Sequence, residues 1–174
     1  AIGNSAGATG QQSGSIAIGY QSGNIVQGGN AVAIGYQTGN SNQANNSIAI
    51  GYQAGQYIQA TNSVAIGYQA GYNTGVSDYN NVYIGSNAGI NTSGNNNIIF
   101  TSSGNTSSRV LNNTVILESS VNPIPLLYGD LANNILYINT TSNTTSNSTT
   151  NLIVNGIVRA GAYISFTGLH QVLI

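Results

Sequence analysis

One phrase recurs along the first half of this chain, and its spacing constrains the fold more than any other feature. It reads Ser15-Ile16-Ala17-Ile18-Gly19-Tyr20-Gln21-Ser22-Gly23, then Ala31-Val32-Ala33-Ile34-Gly35-Tyr36-Gln37-Thr38-Gly39. It continues Ser47-Ile48-Ala49-Ile50-Gly51-Tyr52-Gln53-Ala54-Gly55 and Ser63-Val64-Ala65-Ile66-Gly67-Tyr68-Gln69-Ala70-Gly71. Gly19, Gly35, Gly51 and Gly67 are each 16 residues apart, and Gly3 extends the series backwards. A fifth copy, Asn81-Val82-Tyr83-Ile84-Gly85-Ser86-Asn87-Ala88-Gly89, follows at a spacing of 18, with the two extra residues around Val76 to Tyr79. A unit this short cannot bury a face alone, so it must stack on its neighbours.

The local physics of one unit favours strand. Ile16 and Ile18 are two apart and share a face of a strand, while Ala17 points to the other. β-Branched residues suit a pleated surface. Gly19 permits a bend or a close backbone approach, and Gly23 a turn with positive φ. Frequent Gly, with dense Asn, Ser and Thr, weakens every helical window. Each 16-residue unit is therefore read as one rung of a solenoid, with two short strands and two turns. Rungs stack about 4.8 Å apart, so every sequence position becomes a column.

The expected core columns are Ile16, Ile18, Val32, Ile34, Ile48, Ile50, Val64, Ile66, Val82 and Ile84. The turn glycines are Gly19, Gly35, Gly51, Gly67 and Gly85. So thin a coil has little interior, and the small column of Ala17, Ala33, Ala49 and Ala65 suits close approach of another surface. A second apolar surface is expected to be buried between chains, for which symmetric homo-oligomers are the usual arrangement.

Beyond Gly89 the pattern decays. Asn96 to Phe100 and Asn112 to Leu117 still match Asn45 to Ile50, and Asn133 to Tyr137 reads as a further degenerate copy. The chain divides on this reading into a repeat domain over 1–100 and degenerate repeats with an irregular β transition over 101–138. Pro123 and Pro125 lie in that transition. A polar low-complexity linker spans 139–151, and a β-hairpin segment spans 152–174, where Asn155-Gly156 sits between β-branched runs. The chain begins at Ala1, in the middle of a repeat, and is expected to be a piece of something longer.

Composition removes several functions. Charged residues are 3% of the chain, where about 25% is usual. Near-absence of charge fits stacked columns, in which like charges would repel. Arg109 and Arg159 are the two cations, too few for a nucleic-acid or anionic membrane surface. Apolar runs are four or five residues, such as Ile124 to Tyr128, far short of the roughly 20 that span a bilayer. There is no Cys, hence no disulfide, thiolate zinc site or thiol nucleophile.

Ser63-Val64-Ala65-Ile66-Gly67 resembles the head repeat of trimeric autotransporter adhesins. That resemblance implies a left-handed parallel β-roll, three chains to a head, that binds host surfaces. The Ala-Ile-Gly-Tyr-Gln-Ala-Gly runs are also similar to repeats in fibre proteins of bacteriophages and large DNA viruses. The likeness covers about residues 1–100. The present unit is longer than the usual bacterial one, and its Tyr-Gln pair is more viral in character. Val154-Asn155-Gly156-Ile157-Val158-Arg159-Ala160 resembles the segment that precedes an intramolecular chaperone in many such fibres.

The expectation is thus an all-β parallel β-solenoid, homotrimeric, with a β-rich C-terminal segment. Its function is a structural trimeric fibre segment of a virus or phage serving host-cell attachment, at the virion surface or outside the cell. The alternatives are the head of a bacterial trimeric adhesin and a self-assembling extracellular filament. Expected partners are two further copies of the chain and a host-surface glycan or protein, with no nucleic acid and no membrane insertion.

No catalytic, metal or cofactor site is expected. The acids are Asp78, Glu118 and Asp130, each on a different rung or loop, where glycosidases need two carboxyls about 5–9.5 Å apart. His170 is the lone imidazole. An ice-binding grid of one small hydroxyl residue is not formed by Ser22, Thr38, Ala54 and Ala70. Sequons at Asn45, Asn91, Asn105, Asn112, Asn139, Asn143 and Asn147 follow from an Asn-, Ser- and Thr-rich composition. The candidate recognition surface is the pair of columns Tyr20, Tyr36, Tyr52, Tyr68 and Gln21, Gln37, Gln53, Gln69. The competing role for these rings is to cover the turn and stack for stability.

Overall fold

The computed structural model describes residues 1–57, 59–75, 77–102, 109–118, 127–133 and 135–138. The linker, the C-terminal hairpin segment, Pro123, Pro125, Arg159 and His170 lie outside them. The described residues form an all-β parallel β-solenoid of about six turns without helix.

One side of the coil is a sheet of stacked strands. These are β1 (Ile16–Ile18), β3 (Val32–Ile34), β5 (Ile48–Ile50), β6 (Val64–Ile66), β7 (Val82–Ile84), β9 (Ile98–Thr101) and β11 (Thr114–Glu118), all parallel in that order. The other side is narrower. β2 (Ile25–Gln27) pairs with β4 (Ser41–Gln43), and β8 (Thr92–Ser93) with β10 (Arg109–Val110). Single bridges at Thr9–Ile25, Gln43–Gln59 and Thr61–Tyr79 continue the stack. Register follows the repeat: Ile18, Ile34, Ile50, Ile66, Ile84, Phe100 and Leu117 are successive partners.

The interior corrects the expected core. Ala17, Ala33, Ala49 and Ala65 are fully buried, whereas Ile16 and Ile18 are 47% and 37% exposed. Val32, Ile34, Ile48, Ile50, Val64, Ile66, Val82 and Ile84 flank buried residues and are themselves only partly covered. The reason is volume. A rung of sixteen residues encloses room for small side chains on each wall, so alternation puts Ala inside and the branched residues outside. Facing Ala across the coil is a buried column of Ser22, Thr38, Ala54, Ala70 and Ala88.

The remaining interior is polar and wired. Gln27, Gln43 and Gln59 are buried, and their Nε2 groups donate to the carbonyls of Ile16, Val32 and Ile48 at 2.7, 2.7 and 2.6 Å. That glutamine column ends at Gln59, and the Ala column then changes to Tyr83, Ile99 and Ile116, all buried. A large residue on one wall replaces a large residue on the other. Gly55 shows the exchange from below, since a Cβ there would meet Gln59 at 3.0 Å, while one on Gly71 would meet the Tyr83 ring at 3.1 Å. Asn81 and Asn97 take over the polar wiring, donating to the carbonyls of Gly94 and Leu111, each at 2.8 Å.

Parallel stacking runs beyond residue 100 to β11 and then reverses. β12 (Leu127–Asp130) pairs antiparallel with β11, and β13 (Ile135–Ile138) antiparallel with β12. The segment from Asn133 is therefore one arm of an antiparallel hairpin and not a further stacked rung. The extra residues before the fifth copy are closed locally, the amide of Gly75 donating to Asp78 Oδ2 at 2.8 Å.

Candidate functional site

The Tyr-Gln columns lie on the corner that follows the main strand. Gly19, Gly35, Gly51, Gly67 and Gly85 open it with φ between 119° and 134°. Gln21, Gln37, Gln53 and Gln69 then adopt φ of 50–55°, in the left-handed region. Each of these turns is tied to the rung below, since the amides of Gln37, Gln53 and Gln69 donate to the carbonyls of Tyr20, Tyr36 and Tyr52. The repeat of sequence thereby becomes a repeat of side-chain position.

Two ladders result. The rings of Tyr20, Tyr36, Tyr52 and Tyr68 stack with centroids 5.1–5.3 Å apart and planes within 5–12° of parallel. Beside them runs an amide ladder. Gln37 Nε2 donates to Gln21 Oε1 at 2.9 Å, Gln53 to Gln37 at 3.1 Å, and Gln69 to Gln53 at 2.9 Å. Every donor points down the stack. Because the rings cover one another, the inner rungs of the ladder present ring edges and hydroxyls outward and keep their faces for each other. Sugar recognition by an aromatic side chain uses the ring face, so the middle of the ladder favours stacking over binding.

A third ladder, of asparagines, runs along the opposite corner of the same strands, where the chain enters them. Asn30, Asn46, Asn62, Asn80, Asn96 and Asn113 all hold φ of 52–59°. Their amides link rung to rung at 3.0–3.4 Å through the whole repeat region. The sequence signal is an Asn two residues before β3, β5, β6, β7 and β9 and one before β11, a residue that tolerates the left-handed region better than most. Asn45 and Asn112, both sequon asparagines, also serve the stack. Their Oδ1 atoms accept from the amides of Gly29 and Asn95 at 2.9 and 3.0 Å.

The acids do not converge. Asp78 closes its own loop. Asp130 accepts from Asn133 Nδ2 at 2.9 Å and from its amide at 3.2 Å, and these bonds hold its carboxyl below the usual range. Asp130 pairs opposite Thr114, four residues along β11 from Glu118, or about 13 Å at strand rise. Among the described residues no group of three His, Cys, Asp or Glu is placed to hold a metal ion. Among them, too, no helix is long and apolar enough to cross a membrane.

The column Ser22, Thr38, Ala54, Ala70 lies inside the coil, so it offers no surface to ice or to any ligand. An open apolar hollow lies elsewhere, at the end of the outer isoleucine column, lined by Ile84, Phe100 and Leu117. Comparison with family models, curated proteins and solved structures returns no match.

Proposed function

We propose that this chain is a non-catalytic structural segment of a homotrimeric fibre, carried on a virus or phage and serving host-cell attachment outside the cell. The observation that carries the reading is the outward isoleucine face. Two parallel columns, headed by Ile16 and Ile18 and ending at Ile98 and Phe100, run the length of the sheet with their side chains turned away from the coil. Five intervals of about 4.8 Å make this face roughly 24 Å long. A continuous apolar strip of that length is more than soluble monomers usually expose. Two further copies of the same face supply a cover of equal length and period, which a closed symmetric assembly provides. The head of a bacterial trimeric adhesin is the alternative, on the likeness of Ser63 to Gly67.

A rigid stack with three-fold copies would hold weak attachment sites away from a particle, so that avidity adds their contacts. The test is solution mass by sedimentation equilibrium over a wide dilution range. Three chains per particle are expected, with Ile34→Asp and Ile50→Asp together dissociating them. A compact folded monomer overturns the trimer. Turnover of any polysaccharide overturns the non-catalytic reading.

A further inference from the structure

The tyrosine ladder does not fade out. It stops at Tyr68, because the next rung carries Ser86 at that position, stacked by the Ile66–Ile84 register and the bond from the Asn87 amide to the Tyr68 carbonyl at 2.7 Å. The rung above carries Ser102, through the Ile84–Phe100 register. A four-ring stack therefore ends in a step, with small hydroxyl side chains rising beside it. Tyr68 is 50% exposed, the most of the four rings, since no fifth ring covers it.

The amide ladder stops at the same rung and leaves acceptors open. Gln37, Gln53 and Gln69 each pass a donor downward. Asn87 occupies the next position with the same left-handed φ of 55°, but its side chain is one methylene shorter. No bond from Asn87 to Gln69 forms, and Gln69 Oε1 accepts nothing from the described residues. Asn87 Oδ1 is buried and finds no donor there either. An unpaired buried acceptor is costly, and a ligand that brings donors recovers that cost.

We propose that this step is a binding site for one neutral pyranose ring. The sugar's C–H face lies on the free face of Tyr68, in place of the missing fifth ring. Its hydroxyls donate to Gln69 Oε1 and, after rotation of the amide, to Asn87 Oδ1, while Ser86 supplies a hydroxyl partner at the back. A neutral sugar is favoured over an anionic ligand because two acids belong to these rungs: Asp78, already bonded to the Gly75 amide, and Glu118, which lines a hollow with Gly85 and Ser102. The site deepens the attachment reading and rests on it for its biological role.

The test is saturation-transfer difference NMR on the full chain with methyl glycosides of glucose, galactose, mannose and N-acetylglucosamine. At least one is expected to receive saturation at its ring protons. Ser86→Tyr, which extends the ladder and fills the step, is expected to abolish transfer while circular dichroism and solution mass stay unchanged. Tyr68→Ala is the second variant and is expected to weaken binding by roughly tenfold or more, whereas Tyr36→Phe leaves it intact. No transfer from any of the four sugars, or transfer that survives both Ser86→Tyr and Tyr68→Ala, overturns the site. Sugar binding sensitive to Ser86→Tyr in a chain that sediments as a monomer would leave the site standing and remove the trimer. Trimer mass with no sugar binding would do the reverse.

Discussion

The carbonyl oxygen of Gly67 stands where a side chain on Gly51 would have to go: a Cβ there would lie 2.6 Å from it. Gly51 also has a φ of 129°, a conformation essentially closed to other residues. Two independent penalties meet in one residue, and each recurs up the column. Gly51→Ala is expected to cost about 3 kcal/mol or more. Gly29→Ala is the control, because its nearest neighbours to a new Cβ lie 3.6–3.9 Å away and its φ is not in the left-handed region. Thermal unfolding of both at one protein concentration decides it. Equal midpoints would mean that the rungs separate to admit the methyl group.

Val26 is the opposite case, a residue that the column tolerates at a cost. Its φ is 52°, where a β-branched side chain is strained, and its ring of neighbours in the stack is Gly10 at 70° and Asn42 at 56°. Val26 is also 41% exposed, so it gains little from burial in the protomer. Val26→Asn is expected to stabilise the fold by about 1 kcal/mol, through relief of the left-handed penalty. Chemical denaturation measures it. A loss of stability would show that Val26 is buried by another surface.

The exchange of bulk between walls yields a third expectation. Tyr83 fills the space that Gln59 fills one rung below, against Gly71. Tyr83→Ala leaves a void that no neighbouring glutamine reaches, and is expected to cost about 3–5 kcal/mol. Tyr83→Phe, which keeps the ring against Gly71, is expected to retain most of the stability that Tyr83→Ala loses. Equal losses in the two variants would show that the phenolic hydroxyl and not the filled volume holds this rung.

These positions also show what could be read in advance. The sixteen-residue spacing of Gly19, Gly35 and Gly51 carries the rung, the stacking and the register, because identical neighbours can only pair in register. The same spacing does not say which face of Ile16-Ala17-Ile18 turns inward. Period-two alternation is symmetric, and the usual rule that the larger apolar residue is buried fails where the coil is too thin to hold it. Enclosed volume decides, and that depends on how tightly Gly19 and Gln21 turn the corner. The buried Gln27, Gln43 and Gln59 were hidden for a related reason: a polar residue at a fixed spacing looks the same whether it faces water or a carbonyl across the coil. The Tyr-Gln pair was legible as two columns, but the step above Tyr68 appears only when Ser86 is seen to stack on it.

Tyr72 gives a prediction in pH. Its ring meets that of Tyr57 edge-on, with centroids 5.1 Å apart at 85°. Burial, then the hydrogen bond with Tyr57 and the charge on that phenol, push Tyr72 up to about 12 from the usual 10.0. The unfolded chain therefore releases this proton first as pH rises. Between about pH 10 and 12 the unfolded state binds fewer protons than the folded one, so stability falls across that window and the contribution is intact below it. Phenolate absorbance followed against pH should show one tyrosine ionising late, and Tyr72→Phe should remove that component and flatten the alkaline loss of stability. An unchanged titration in Tyr72→Phe would place the late group elsewhere.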